Sequence, residues 1–273
     1  MEGDAALLAA LPAWAFAFVL VLCRTGTLVM LMPGLGEMEP PAMVRAGLAL
    51  TISLLLLPVV APLVPAVPGA GVSGAGVSGA GVSGAGVSGA GMVCAELLVG
   101  GMLGWLTRLP ALALGMAGAM VSYMLGLSSV VQADPALGGQ SSALGRLFGL
   151  AAPVLVLSTG LYALPLQALG GSYGLFPPGS VVPAGPLAEG VTAAVVAAFG
   201  LALRLAGPFL LAGVVWQVGL GVLARVAPQL QAYAAATPGQ ILGGLALLAV
   251  LGSQMIEAWL GGVSSAWMLL PGL

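Results

Sequence analysis

The side chains able to carry charge or hold a metal are few in this sequence: six arginines, eight carboxylates and two cysteines, with no lysine and no histidine. Without histidine the commonest general base is missing, and a His-Glu-x-x-His zinc site is excluded. Cys23 and Cys94 both lie in apolar runs, where a free thiol behaves as a small hydrophobe; they set neither a disulfide framework nor a zinc spacing. The carboxylates are scattered, and no pair is spaced for acid–base work. The Gly-x-Ser-x-Gly nucleophile elbow is expected to be absent from the chain, since Gly71-Val72-Ser73-Gly74 is followed by alanine. No catalytic, cofactor-binding or metal-binding residue is assigned, and the expectation is a protein that is not an enzyme and uses no cofactor.

Two charged residues invite a closer look. Arg24 is the one charge in the apolar run 11–32, and an intramembrane arginine is a functional candidate unless it snorkels to the interface or pairs with a neighbour. Asp134 is the acid in the polar interruption 126–142, which also holds Gly126, Leu127, Ser128, Ser129, Gln132, Pro135 and the Gly138-Gly139 pair. Its plain reading is an Asx-type turn ahead of a proline, since proline pushes the preceding residue out of the helical region. Such a loop between membrane-competent segments either faces water or lies in a protein-lined cavity, because exposed non-helical backbone is not tolerated in lipid.

Those residues need elements to hold them, and composition says which kind. Of 273 residues 60% are hydrophobic and 5% charged, with mean hydropathy +1.16. A soluble domain has about a quarter of its residues charged, so an all-α, polytopic integral membrane protein is expected. With 14 charged side chains the net charge of −2 says little about partners, but the absence of a basic stripe excludes a nucleic-acid partner. The 44 glycines and 20 prolines imply closely packed, kinked helices completed by neighbouring subunits, with close approach at Gly100/Gly104, Gly115/Ala119 and Gly239/Gly243.

Taken in order, the apolar segments are 11–32, 46–64, 92–107, 110–127, 147–169, 189–207, 205–224 and 241–260. They make about six spans, or seven if 92–127 is two helices instead of one kinked helix. Kinks are expected at Pro153 and Pro165. Between the second and third segments the pentapeptide Gly-Ala-Gly-Val-Ser repeats. The array matches Gly-x-Gly-x-x-Gly in several registers, and Glu96 follows it at dinucleotide-fingerprint distance. A five-residue repeat generates that match by itself, with no strand–turn–helix around it, so 69–91 is read as a low-complexity linker within a single membrane domain, 1–273. Glu96 and Arg108, at the two ends of 92–107, suit the helix dipole.

Four places, read together, resemble the FliR family of flagellar biosynthesis proteins and its injectisome counterpart, the SctT family. They are Pro33-Gly34-Leu35-Gly36 with Pro41, Arg45 and Gly47; Glu96-Leu97-Leu98-Val99-Gly100 with Gly104; Gly126-Leu127-Ser128 with Asp134-Pro135; and Gly221 to Arg225 followed by Pro228-Gln229-Leu230. The resemblance implies a bacterial inner-membrane subunit of the type III export gate, at the flagellar basal body. It further implies winding with FliP-like and FliQ-like sister proteins, a FlhB-like neighbour, and unfolded polypeptides as cargo. The segment matching 126–142 is then the plug of the export channel, although Ser129 and Gln132 stand where the family often has phenylalanine. The alternatives are an injectisome export subunit or a solute transporter; membrane orientation stays open, with six arginines spread over both halves.

Overall fold

The computed structural model describes residues 2–37, 41–65, 89–126, 142–180, 184–226 and 232–273. Among the described residues every regular element is helical, the arrangement that lets an apolar chain satisfy its own backbone in lipid. The helices are α1 (Glu2–Leu31), α2 (Ala42–Val60) with a 3₁₀ turn Ala61–Leu63, α3 (Gly89–Met124), α4 (Ala143–Ser158), α5 (Ala163–Leu175), α6 (Ala184–Val226) and α7 (Ala232–Trp267). Among the described residues five stretches are long and apolar enough to cross a membrane: Leu11–Leu31, Ala42–Leu63, Gly89–Met124, Leu187–Val226 and Ala236–Trp267. The pair α4 and α5, bent by 70°, supplies a sixth if counted as one crossing.

The helices bear on three expectations about breaks. Of the two readings of the 92–127 region, the single helix holds: α3, Gly89–Met124, runs through Pro110 for 36 residues. Proline removes one donor and crowds one carbonyl, but opening a whole turn in lipid would expose several more, so continuity wins. Residues 189–224 likewise form one helix, the 43-residue α6, with Pro208 inside it. At about 1.5 Å per residue α6 is ~65 Å long against a hydrocarbon layer of about 30 Å, so it either tilts steeply or runs beyond the layer. Finally, α4 includes Pro153 without a break, and the sharp bend of the chain falls at Thr159–Tyr162, where Gly160 takes φ +76°. Glycine adopts that left-handed conformation without the Cβ clash other residues meet, so it is a better corner than proline. Residues 69–88 of the repeat lie outside the described residues; its last three, Gly89-Ala90-Gly91, belong to α3 and not to a linker.

The described chain gathers into two compact units: residues 1–105, 163–189 and 270–273, and residues 106–162 with 190–269. The first is built on Val21 and Leu28 of α1, Val60 of α2, Val99 and Leu103 of α3, and Leu169 and Tyr173 of α5. The spacings of seven and four put each pair on one helix face. Side chains at Gly100 and Gly104 would run into Arg24, Thr27 and Leu31, so α1 and α3 approach as the small-residue spacing predicts.

In the second unit the pairing at Gly115 and Ala119 also holds. An added Cβ at Gly115 would sit 3.4 Å from Gly149 of α4, and one at Gly145 would sit 3.2 Å from Ala119. Of Gly239 and Gly243 only the first is close-packed, against Trp216. Trp259 and Trp267, two turns apart on α7 and fully buried, each donate an indole N–H at 3.1 Å to an α3 carbonyl, those of Pro110 and Thr107. The aromatic bodies bury apolar area while the N–H groups find acceptors beside the helix proline.

Candidate functional site

Arg24 sits on the buried face of α1, 1% exposed, four residues before Leu28. A guanidinium cannot shed its proton, so burial there demands acceptors from other elements. Glu96 of α3, also 1% exposed, supplies two: Arg24 Nε donates to Oε2 at 2.6 Å and Nη2 donates to Oε1 at 3.0 Å. This is the planar fork that suits arginine to carboxylate. The remaining donors reach α5 and its exit, with Nη1 to Ser172 Oγ at 3.2 Å and Nη2 to the Phe176 carbonyl at 2.9 Å. Glu96 accepts a further bond from the Gly179 amide at 3.1 Å, and the Tyr173 ring lies 4.1 Å from the guanidinium carbon. One buried pair thus ties α1, α3, α5 and the turn after it. Every group is charge-compensated, and nothing is poised to transfer a proton or attack a carbonyl; the arrangement fixes helices in place.

Sequence reasoning placed Arg24 between a functional and a paired role, and the structure decides for pairing. It assigned Glu96 to the dipole of its own helix, and that reading is corrected: Glu96 lies two turns inside α3 and serves Arg24. The only available signal was that both are lone charges in apolar runs of equal and opposite sign. A second correction concerns serine. Gly170-Gly171-Ser172-Tyr173-Gly174 does meet the Gly-x-Ser-x-Gly spacing. Ser172, however, is buried in a helix, donates to the Leu169 carbonyl at 2.7 Å and accepts from Arg24, so it is no exposed nucleophile at a strand-to-helix turn.

The anticipated plug stretch is described only at its ends. Gly126, with φ +72°, closes α3, and the carboxamide of Gln240 on α7 donates to the Met124 carbonyl at 2.6 Å. Met124 and Leu125 pack where Gly213 of α6 and Gly244 of α7 leave room, beside a cleft of about 270 Å³ that Trp216 also lines. At the far end Ser142 caps α4, its hydroxyl accepting from the Gly145 amide at 3.1 Å. Leu127, Ser128, Ser129, Gln132, Asp134 and Pro135 lie outside the described residues.

Comparison with known proteins decides the lineage. The profile of the bacterial export proteins, family 1, matches residues 15–266. The chain belongs to that family. The flagellar biosynthetic protein FliR of Caulobacter vibrioides is 31% identical over 244 residues, covering 89% of this chain and 91% of that protein. The FliR resemblance read from the residues is therefore correct, and the match spans both compact units.

Within this export-family chain the described residues singled out for the resemblance stand on several different elements. Pro33 and Gly34 are buried in the turn after α1, Gly34 at φ +91°, and Gly36 packs against the carbonyls of Met30 and Met32. Glu96 and Gly100 belong to the Arg24 junction, and Gly104 lies one turn further along α3. Arg45 stands on the first turn of α2, and its Nε meets no acceptor among the described residues. Arg225 is exposed in the last turn of α6, while Pro228 and Gln229 lie outside the described residues.

Proposed function

We propose that the protein works as a membrane subunit of the flagellar type III export gate, and that the segment joining α3 to α4 closes the export conduit at rest. Family membership over residues 15–266 supports the first part, and the FliR relative favours a flagellar over an injectisome setting. The second part rests on the clamped ends: Gln240 holds the last turn of α3, and Ser142 holds the first turn of α4. A segment suspended between two fixed points can occlude a passage without the helices moving. The neighbours in this reading are FliP-like, FliQ-like and FlhB-like membrane proteins, and the cargo is unfolded flagellar polypeptide. The place of work is the inner membrane at the flagellar basal body.

Deleting residues 127–141 while keeping Gly126 and Ser142 tests the closure. The gate is expected to assemble and the membrane to become leaky to small ions. A deletion variant that assembles and keeps resting conductance rejects the plug. A chain that functions alone as a carrier, with no membrane partners, rejects the gate.

A further inference from the structure

Besides Arg225 in the last turn of α6, Arg204 on α6 and Glu257 on α7 lie inside membrane-competent helices of the second unit and have no hydrogen-bond or ionic partner among the described residues. Both point away from their own chain. Arg204 lies two residues from the buried Ala202 and Ala206, and Glu257 lies two residues from the buried Met255 and Trp259. Two helical residues are about 200° apart around the axis, so each charge occupies the side opposite the buried one.

The two charges differ in what they can do about it. Arginine has a long apolar stem that brings its head several ångströms nearer the interface than a glutamate on the same turn. Glutamate is short. The apolar span Ala236–Trp267 is 32 residues, and a crossing of about 20 residues centred on it covers 242–261, which includes Glu257. Gln254 and Ser253, three and four residues earlier and so one turn away on neighbouring faces, are exposed and equally without partners among the described residues. Only 11% of the α7 window is buried inside the chain, against 50% for α3, so the cover for α7 must come from outside. Lipid tails offer a carboxylate no compensation.

We propose that the outer face of α7 around Glu257, with Gln254 and Ser253 beside it, docks a membrane-spanning helix of another subunit that presents a lysine or arginine to the carboxylate. The occupant follows from charge complementarity: a positive group held by a partner helix neutralises Glu257, and the carboxamide and hydroxyl bond its flanks. The inference deepens the export-gate reading, and depends on it only in requiring that the chain works within an assembly.

The test uses the full chain in cells that assemble the complex. A photo-cross-linking amino acid at position 257 is expected to join a membrane helix with a basic residue within one turn of the joined position. Adducts to lipid alone, or to a helix without such a residue, overturn the proposal. Glu257→Lys is expected to lower recovery of the assembled complex by about tenfold or more, while the amount of the chain in the membrane stays at the wild-type level. Replacing the partner's basic residue by glutamate is expected to restore assembly; a Glu257→Lys chain that assembles normally, or a charge swap that restores nothing, overturns it. Failure of the wild-type chain to assemble with any membrane protein would instead defeat the export-gate reading.

Discussion

A buried charge pair in the first unit contrasts with two outward charges in the second. In the first, Arg24 and Glu96 are both buried and answer each other within the chain, with Ser172, the Phe176 carbonyl and the Gly179 amide completing the shell. In the second, Arg204 and Glu257 face outward without partners among the described residues, and the buried polar contacts are neutral indole N–H groups on helix carbonyls. The difference teaches where each unit is finished. A charge pair closed inside the chain makes that region self-sufficient, whereas a lone charge on an outer helix face is an unfinished contact that an assembly completes.

The largest effect should come from opening the closed pair. Glu96→Ala leaves Arg24 buried and uncompensated, a loss of about 3–5 kcal/mol, read as a fall in membrane-inserted chain and in melting temperature in detergent. The double variant Arg24→Met with Glu96→Leu is expected to recover most of that stability, because two apolar groups replace two charges together. A neutral Glu96→Ala would erase the contrast between the units. Next in size, Trp259→Ala removes a fully buried indole from the second unit and should cost about 3–5 kcal/mol, whereas Trp259→Phe, which keeps the ring and drops the N–H, should cost about 1 kcal/mol.

Gln240→Leu sharpens the comparison within the second unit. It removes the bond to the Met124 carbonyl, with a small stability loss of about 0.5–1.5 kcal/mol. Resting ion leak should rise to an intermediate level between wild type and the 127–141 deletion. A leak identical to wild type would mean that the clamp does not set the segment's position. The smallest effect is expected at Arg204. Arg204→Gln should leave complex recovery within about twofold of wild type, in contrast to Glu257→Lys, because an outward arginine reaches water by itself.

Much of this was legible from residues alone, and the failures are instructive. The apolar runs located every membrane-competent helix, since a stretch of about 20 uncharged residues has one stable form in lipid. The small-residue spacing at Gly100 and Gly104 correctly announced a close helix contact. Prolines did not mark breaks: Pro110, Pro153 and Pro208 all sit inside continuous helices, while the corner fell at Gly160. Proline marks where one hydrogen bond is lost, and in lipid the remaining bonds outweigh it. Glu96 misled for another reason, having been judged against its own helix when its partner lies 72 residues away.

The sequence by itself determined that the chain is a set of membrane helices, that it has no histidine and few charged groups, and which export family it resembles. These follow from composition and order, which no folding step can alter. Only the tertiary structure decided that Arg24 is answered by Glu96, that Ser172 is held inside the same junction, and that Glu257 turns away from its own chain. Pairing and facing depend on how helices far apart in the sequence are rotated against one another. A linear pattern records the face of one helix but not which face of another it will meet.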